Sequence, residues 1–97
     1  MKIPEKVKIG AHEYKIYFDV DPSNDNDNCF GNVSYKKLVI GINPTYAQSQ
    51  QEETFFHEVL HAIEHQLGYE ENEQRNQATA HHLYLFLKEN NLLSNQS

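Results

Sequence analysis

The spacing of apolar residues divides the chain into a strand-forming first part and a helical second part. Residues 6–9 and 13–20 have the alternating, aromatic and β-branched composition of strands, with a turn at Gly10 between them. Residues 30–35 and 38–42 have the same character and predict a second hairpin, with two lysines at its turn. The first part therefore predicts a small antiparallel β-sheet built from two hairpins.

Apolar positions in the second part recur at the spacing of a helix. Residues 49–52, Ser-Gln-Gln-Glu, have the form of a capping box, so we expect a helix from near residue 50 to Leu67, ending at Gly68. A second helix is predicted over about 72–90, where two asparagines end it. The expected packing positions are Phe56, Val59, Leu60, Ile63 and Leu67 on the first helix, and Ala78, Ala80, Leu83, Tyr84 and Leu87 on the second.

The order of these elements predicts an α+β fold in a single domain over residues 1–97, with the sheet packed on the two helices. Between the hairpins, residues 21–28 are rich in Asp and Asn and predict a solvated loop. This loop lacks the spacing of a calcium site, because counting from Asp25 places Phe30 at the glycine position and Lys36 at the twelfth position. Residues 94–97 predict a frayed tail.

Charge and hydropathy exclude several kinds of partner. The formal net charge is −6, and no basic stripe of the kind that binds nucleic acid is present. No apolar run approaches the length of about 18 residues that a membrane span needs, and the first residues lack the apolar segment of a signal peptide. Cys29 is the only cysteine, which fits a reducing cytoplasm. We expect it to be an inert residue near a strand end rather than a metal ligand or redox switch.

The sequence His57-Glu58-Val59-Leu60-His61 is the strongest chemical signal in the chain. On a helix, His57 and His61 lie one turn apart, about 6 Å along the axis, and face the same side. Two imidazoles so placed can bind one Zn²⁺, and Glu58 can act as general base toward a water at the metal. This H-E-x-x-H pattern is the zincin signature, and the apolar residues around it predict a dry, rigid helix.

A catalytic zinc site needs a third protein ligand. His65 shares the helix but lies about 12 Å from His57, too far for both to bind one ion. His61, Glu64 and His65 also fit the H-x-x-E-H order of inverzincins, a less favoured frame because the apolar flank surrounds residues 57–61. The metzincin pattern is excluded, since it needs a glycine where Glu64 stands. The remaining candidates lie in the link and the second helix: Glu70, Glu71, Glu73, His81 and His82.

The geometry of a helical hairpin leaves these candidates open. If the two helices turned symmetrically near residue 69, residue 77 or 78 would lie opposite His61. Glu73 would then lie nearer the turn, and His81 or His82 would lie closer to the first histidine of the motif. Acidic residues at this position also have an ordinary role, because they are favourable at a helix N-terminus.

A helix carrying H-E-V-L-H, a short link and a second helix beginning with Asn72-Glu73 resembles the arrangement of the gluzincins. This resemblance implies a zincin-like fold in which Glu73 joins His57 and His61 as the third zinc ligand. The chain is also similar to minimal gluzincins and to small H-E-x-x-H proteins of phages and mobile elements, related to the ImmA/IrrE-type metallopeptidases. In the gluzincin motif N-E-x-x-x-D the Asp bonds the first His, and here that position holds Gln77, an amide without a carboxylate's charge.

These observations predict a zinc metallopeptidase in which Glu58 takes a proton from water and passes it to the leaving amine. We expect a peptide or protein substrate to bind in extended form along a sheet edge, in the hairpin over residues 30–42. A transition-state donor is expected among Tyr46, Tyr69, Tyr84 and the pair His81 and His82. The alternative is a non-catalytic protein-binding module in which zinc serves stability alone. We expect the protein to act in the cytoplasm, the host cytoplasm if a phage encodes it.

Overall fold

Four strands precede two helices in the computed structural model, which describes residues 1–22 and 29–93. The elements are β1 (Lys6–Ile9), β2 (His12–Phe18), β3 (Gly31–Ser34), β4 (Val39–Ile42), α1 (Gln48–Leu67) and α2 (Glu73–Glu89). This architecture confirms the predicted α+β class. Most of the predicted loop over 21–28 and the predicted frayed tail lie outside the described residues. No helix in the described ranges combines the length and the hydropathy that a membrane crossing requires.

The sheet has the strand order β1-β2-β4-β3 and is mixed rather than wholly antiparallel. The two predicted hairpins form, but β2 and β4 pair in parallel, with Ile16 beside Ile40. The prediction of an antiparallel sheet is therefore wrong for this central pair. The physical reason is the sequence of β4, Val-Ile-Gly-Ile, which is almost wholly buried and suits the centre of a sheet. β3 carries the polar residues Asn32 and Ser34 and takes the edge.

The inner face of the sheet packs against α1. The core consists of Ile3, Ile9, Tyr14, Ile40, Ile42, Phe55 and Ala62. Gly31 of β3 also faces α1, and a β-carbon added there would lie 2.5 Å from Cγ2 of Thr54. The absence of a side chain at Gly31 therefore lets the edge strand lie directly against the helix that carries the histidine motif.

The bounds of α1 agree with the sequence, but its N-terminal cap does not. The helix ends at Leu67, and Gly68 adopts the predicted left-handed conformation with φ of 75°. The predicted capping box of Ser49 and Glu52 is wrong, since the side chain of Gln50 accepts the N–H of the actual cap residue, Ala47, at 3.1 Å.

The carboxylate of Glu52 lies instead between α1 and α2, in contact with Tyr84. Its Oε1 accepts the hydroxyl of Tyr84 at 2.7 Å, and its Oε2 accepts the side-chain amide of Gln48 at 3.0 Å. The Met1 ammonium lies 3.5 Å from the same carboxylate. These three contacts compensate the burial of a charge, which would otherwise be costly.

The buried face of α1 is more polar than the sequence predicts. Phe56, Val59 and Leu60 are partly buried, but Ile63 and Leu67 are exposed to 37% and 59%. The buried positions are Glu52, Thr54, Phe55, Glu58, His61 and Ala62. α1 is covered by the sheet on one side and by α2 on another, so polar residues that face α2 become buried as well.

α2 matches its predicted bounds and has a narrower packing face than predicted. Asn72 caps its N-terminus by accepting the N–H of Arg75 at 2.9 Å. Ala80 and Tyr84 are buried as predicted, and so is Asn76. The prediction that Ala78 and Leu83 are packing positions is wrong, because both residues are exposed. Leu87 is half-buried, so its predicted packing is met in part. Within the described residues α2 packs on α1 and not on the sheet, so a thin stripe suffices.

Candidate metal centre

α1 and α2 bring three predicted metal ligands together. Nε2 of His57 lies 2.8 Å from Oε2 of Glu73, and Nε2 of His61 lies 2.8 Å from Oε1 of the same carboxylate. The two Nε2 atoms are 3.2 Å apart. One ligand atom from each of the three residues falls within 4.8 Å of the others. The geometry is compatible with one metal ion held by two imidazoles and one carboxylate.

The conformation of the link between the helices, residues 69–72, places Glu73 beside His61. Residues 69–72 are not helical, and Asn72 is extended. An extended residue advances about 3.3 Å, against 1.5 Å in a helix. The link therefore carries the start of α2 back alongside α1. The alternative of a symmetric turn near residue 69, which would place residue 77 or 78 opposite His61, is not the arrangement that forms, since Glu73 lies beside His61.

The other candidate ligands lie away from this cluster. Glu70 and Glu71 are exposed in the link, and His82 is exposed on α2. Nδ1 of His81 lies 2.9 Å from Oε2 of Glu53, one helical turn before the motif. Of the residues considered from the sequence, Glu73 is thus the one that the fold places beside both motif histidines.

The alternative H-x-x-E-H frame is not assembled. The ring of His65 stacks on Tyr35, with centroids 3.8 Å apart and planes 2° from parallel. Glu64 points to α2, where its carboxylate accepts the side-chain amide of Asn76 at 3.1 Å and lies 3.5 Å from Arg75. Glu64 and Asn76 each lie three residues beyond His61 and Glu73. Their contact therefore connects α1 and α2 close to the metal cluster.

Gln77 stands at the position where the gluzincin motif has an Asp that bonds the first histidine, and the contacts of that histidine differ here. Nδ1 of His57 is buried and has no hydrogen-bond partner among the residues of the described ranges. Gln77 borders the cavity beside the cluster but does not bond this nitrogen. The imidazole of His57 therefore lacks the hydrogen bond that commonly fixes the tautomer and orientation of a metal-bound histidine.

Burial and charge set the protonation of the cluster. Burial lowers the pKa of His57; Glu73 opposes this effect and His61 reinforces it. A lowered pKa favours the neutral imidazole, the form that binds metal. Burial raises the pKa of Glu58 to about 8, and the negative charges of Glu73 and Glu71 add to the rise.

A cavity of about 490 Å³ opens beside the cluster. Its walls include Gly31 from β3, Glu53, His57 and Glu58 from α1, and Glu73 and Gln77 from α2. Glu58 is only 6% exposed, yet it is among the residues that line this cavity. A small molecule or side chain in the cavity would therefore meet His57, Glu73 and Glu58 together.

The tyrosines predicted as possible transition-state donors are placed outside the lining of this cavity. Tyr84 is committed to Glu52, and Tyr46 packs on Phe30 with ring centroids 4.1 Å apart. Tyr69 borders a separate depression near the link. Sequence reasoning missed Glu53, which borders the cavity and contacts His81. Its position four residues before His57 is the signal that could have identified it, since i and i+4 share a face.

Comparison of the chain with known protein families, with curated proteins and with solved structures gave no match.

Proposed function

We propose that this protein is a zinc-dependent metallopeptidase, with His57, His61 and Glu73 as the metal ligands. Two imidazoles and one glutamate form a ligand set typical of catalytic zinc. In a tetrahedral zinc site with bonds of about 2.0 Å, two nitrogen ligands lie about 3.3 Å apart. The 3.2 Å between the Nε2 atoms of His57 and His61 supports this assignment.

A zinc ion at this position would supply Lewis acidity, which acidifies water and polarises a scissile carbonyl. Glu58 borders the cavity beside the cluster without belonging to it. In the proposed reaction its carboxylate takes a proton from the attacking water and delivers that proton to the leaving amine. The cation would also oppose the repulsion between Glu58 and Glu73 that favours the protonated form in its absence.

The exposed edge of the sheet beside the cavity supports binding of an extended peptide. β3 is an edge strand. The N–H of Asn43 donates to the carbonyl of Phe30, so the alternate residues Gly31 and Val33 direct their backbone groups away from β4. Two of these groups have local partners: Cys29 Sγ donates to the Gly31 carbonyl at 3.0 Å, and Asn32 Oδ1 accepts the Val33 N–H at 2.9 Å. A substrate strand would replace these two contacts.

The observation that carries this proposal is the convergence of three metal donors next to a buried glutamate, Glu58, that lines the same cavity. Within the described part of the chain, no fourth His, Cys, Asp or Glu joins the three donors. A three-ligand site leaves a coordination position for chemistry, which favours an enzyme over a module that uses zinc for stability alone. The lone Cys29 is consistent with the cytoplasmic setting that we propose for this activity.

The test compares zinc-dependent cleavage of a broad peptide library by the natural protein and by the Glu58→Gln variant. We expect the variant to bind one zinc ion per chain and to lose activity by a factor on the order of 10² or more. Glu70→Gln, the same change at an exposed site outside the cavity, is the matched control and should cleave normally. Equal cleavage by Glu58→Gln and the natural protein would contradict the proposed role of Glu58. An absence of any zinc-dependent cleavage would favour the binding module.

A further inference from the structure

The cavity beside the metal cluster has an acidic wall that the proposed chemistry does not use. Glu58 and Glu73 have roles in the proposed reaction, but Glu53 has none. Its side chain is about one-third exposed, borders the cavity and lies one helical turn before His57, and it contacts the half-exposed His81, 2.9 Å away. Glu53 therefore adds a negative charge about 6 Å along the helix from a proposed metal ligand.

No lysine or arginine borders this cavity in the described part of the chain. From residue 46 onward the sequence has eight glutamates and only two such cations, Arg75 and Lys88. Arg75 pairs with Glu64, and Lys88 lies against the ring of Tyr84. The described lining of the cavity thus contains the side chains of three glutamates, Glu53, Glu58 and Glu73, and no lysine or arginine to balance them.

A second observation points to a ligand in the same cavity. Glu58 is more than nine-tenths buried and borders the cavity, and none of the residues in the described ranges donates a hydrogen bond to its carboxylate. The lining also includes the apolar side chains of Phe30 and Ala80. The cavity therefore offers an aromatic ring and a methyl group for an aliphatic stem, and carboxylates for a positive head group.

We infer that this cavity is a specificity subsite for a basic side chain, arginine or lysine, next to the peptide bond that is cleaved. The inference rests on the proposed function, because the metal cluster defines where that bond lies. The stem of the side chain packs on Phe30, and its head group pairs with Glu53. The volume of about 490 Å³ is within the range of small-ligand pockets and accommodates either side chain.

The test measures binding rather than turnover, so that specificity and catalysis can be separated. The probes are acetyl-arginine hydroxamate and acetyl-citrulline hydroxamate, together with a second pair that carries the same residue on the amine side of the metal-binding group. Citrulline matches arginine in size and lacks its charge. Isothermal titration calorimetry on the zinc-loaded protein should show that an arginine compound binds about five-fold more tightly than its citrulline partner.

The preference should fall to within about two-fold in Glu53→Gln and should persist in Glu70→Gln, the matched control. It should also weaken at high salt, because the Debye length shrinks to about 3 Å at 1 M. Equal binding of arginine and citrulline compounds on both sides of the metal-binding group would overturn the inference while leaving the metal site intact. An arginine preference unchanged in Glu53→Gln would also overturn it. Failure of every hydroxamate to bind would overturn the open metal site itself, and this inference with it.

Discussion

Glu52 and Glu58 lie on the same helix, are each 6% exposed, and occupy opposite electrostatic environments. Burial acts to raise the pKa of Glu52, but hydrogen bonds from Tyr84 and Gln48 and the Met1 ammonium outweigh it, and the pKa is lowered. Glu58 has no such compensation, and burial raises its pKa to about 8. Glu52 therefore stabilises the fold as a charged group. Glu58 carries a carboxylate without such compensation, which is characteristic of functional positions.

Glu52→Gln should destabilise the protein at neutral pH, by about 1–3 kcal/mol, because a charged hydrogen-bond acceptor is replaced by a neutral one. A carboxyl whose folded pKa is lowered contributes stability above its unfolded value of 4.5, and this contribution is lost as pH falls through the folded pKa. Urea unfolding of the metal-free proteins at pH 7 and near pH 3 measures the effect. A difference between the two proteins that does not shrink in acid would contradict this account.

Glu58→Gln should have the opposite effect on the metal-free protein. A carboxyl with a raised folded pKa costs stability as pH rises from 4.5 to about 8, since the folded state retains a proton that the unfolded state releases. The two values set an upper bound of roughly 5 kcal/mol on this cost. Urea unfolding in the presence of a chelator should show a variant more stable than the natural protein at pH 8, and nearly equal to it at pH 4. Lower stability of the variant at pH 8 would rule out this description.

At the scale of single residues, the sequence predicted which residues of the motif lie close together better than it predicted which residues are buried. The H-E-x-x-H motif identified His57, Glu58 and His61 as neighbours because a helix fixes i and i+4 locally. Glu52 was misassigned to a cap because its partner Tyr84 is 32 residues away. Long-range partners of this kind leave no local pattern.

At the scale of elements, Gly31 controls how closely β3 approaches α1. A Gly31→Ala change would place Cβ 2.5 Å from Cγ2 of Thr54 and 2.9 Å from the carbonyl oxygen of Gly41. We expect a loss of about 1–3 kcal/mol in the free energy of unfolding, as for other overpacked sites. Thermal and urea unfolding measure the loss.

The double variant Gly31→Ala with Thr54→Ser provides the control, since serine lacks the Cγ2 methyl group that the added Cβ would meet. It should recover part of the lost stability relative to Gly31→Ala. If the two changes add without coupling, the close approach of strand and helix is not the cause of the loss.

The sequence predicted the existence of the elements well, and it missed two features of their arrangement. Strand and helix periods identified each of the six elements in residues 1–22 and 29–93 to within a few residues. β4 lies between β2 and β3, and its place at the centre of the sheet depends on how all four strands compare in burial. The alternation of residues within one strand does not contain that information. The register of α2 depends on the non-helical link over residues 69–72, which a symmetric turn does not reproduce.

At the scale of the whole molecule, the fold has a sheet, a central helix and an outer helix, and each pair of layers encloses a different set of residues. The sheet and α1 enclose the apolar core, and α1 and α2 enclose the polar cluster of His57, His61 and Glu73. The cavity lies where the start of β3 meets both helices. A chain of 97 residues thereby combines a core and a candidate reaction site by using the two sides of one helix.

Anomalous diffraction from crystals of the zinc-loaded protein, recorded at the zinc absorption edge, tests the proposed metal centre directly. We expect one strong peak, bonded at about 2.0–2.2 Å to Nε2 of His57, Nε2 of His61 and a carboxylate oxygen of Glu73, with no fourth protein side chain on the metal. A peak at His81 and Glu53, a peak at His65, or a coordination shell closed by a fourth side chain would contradict this proposal.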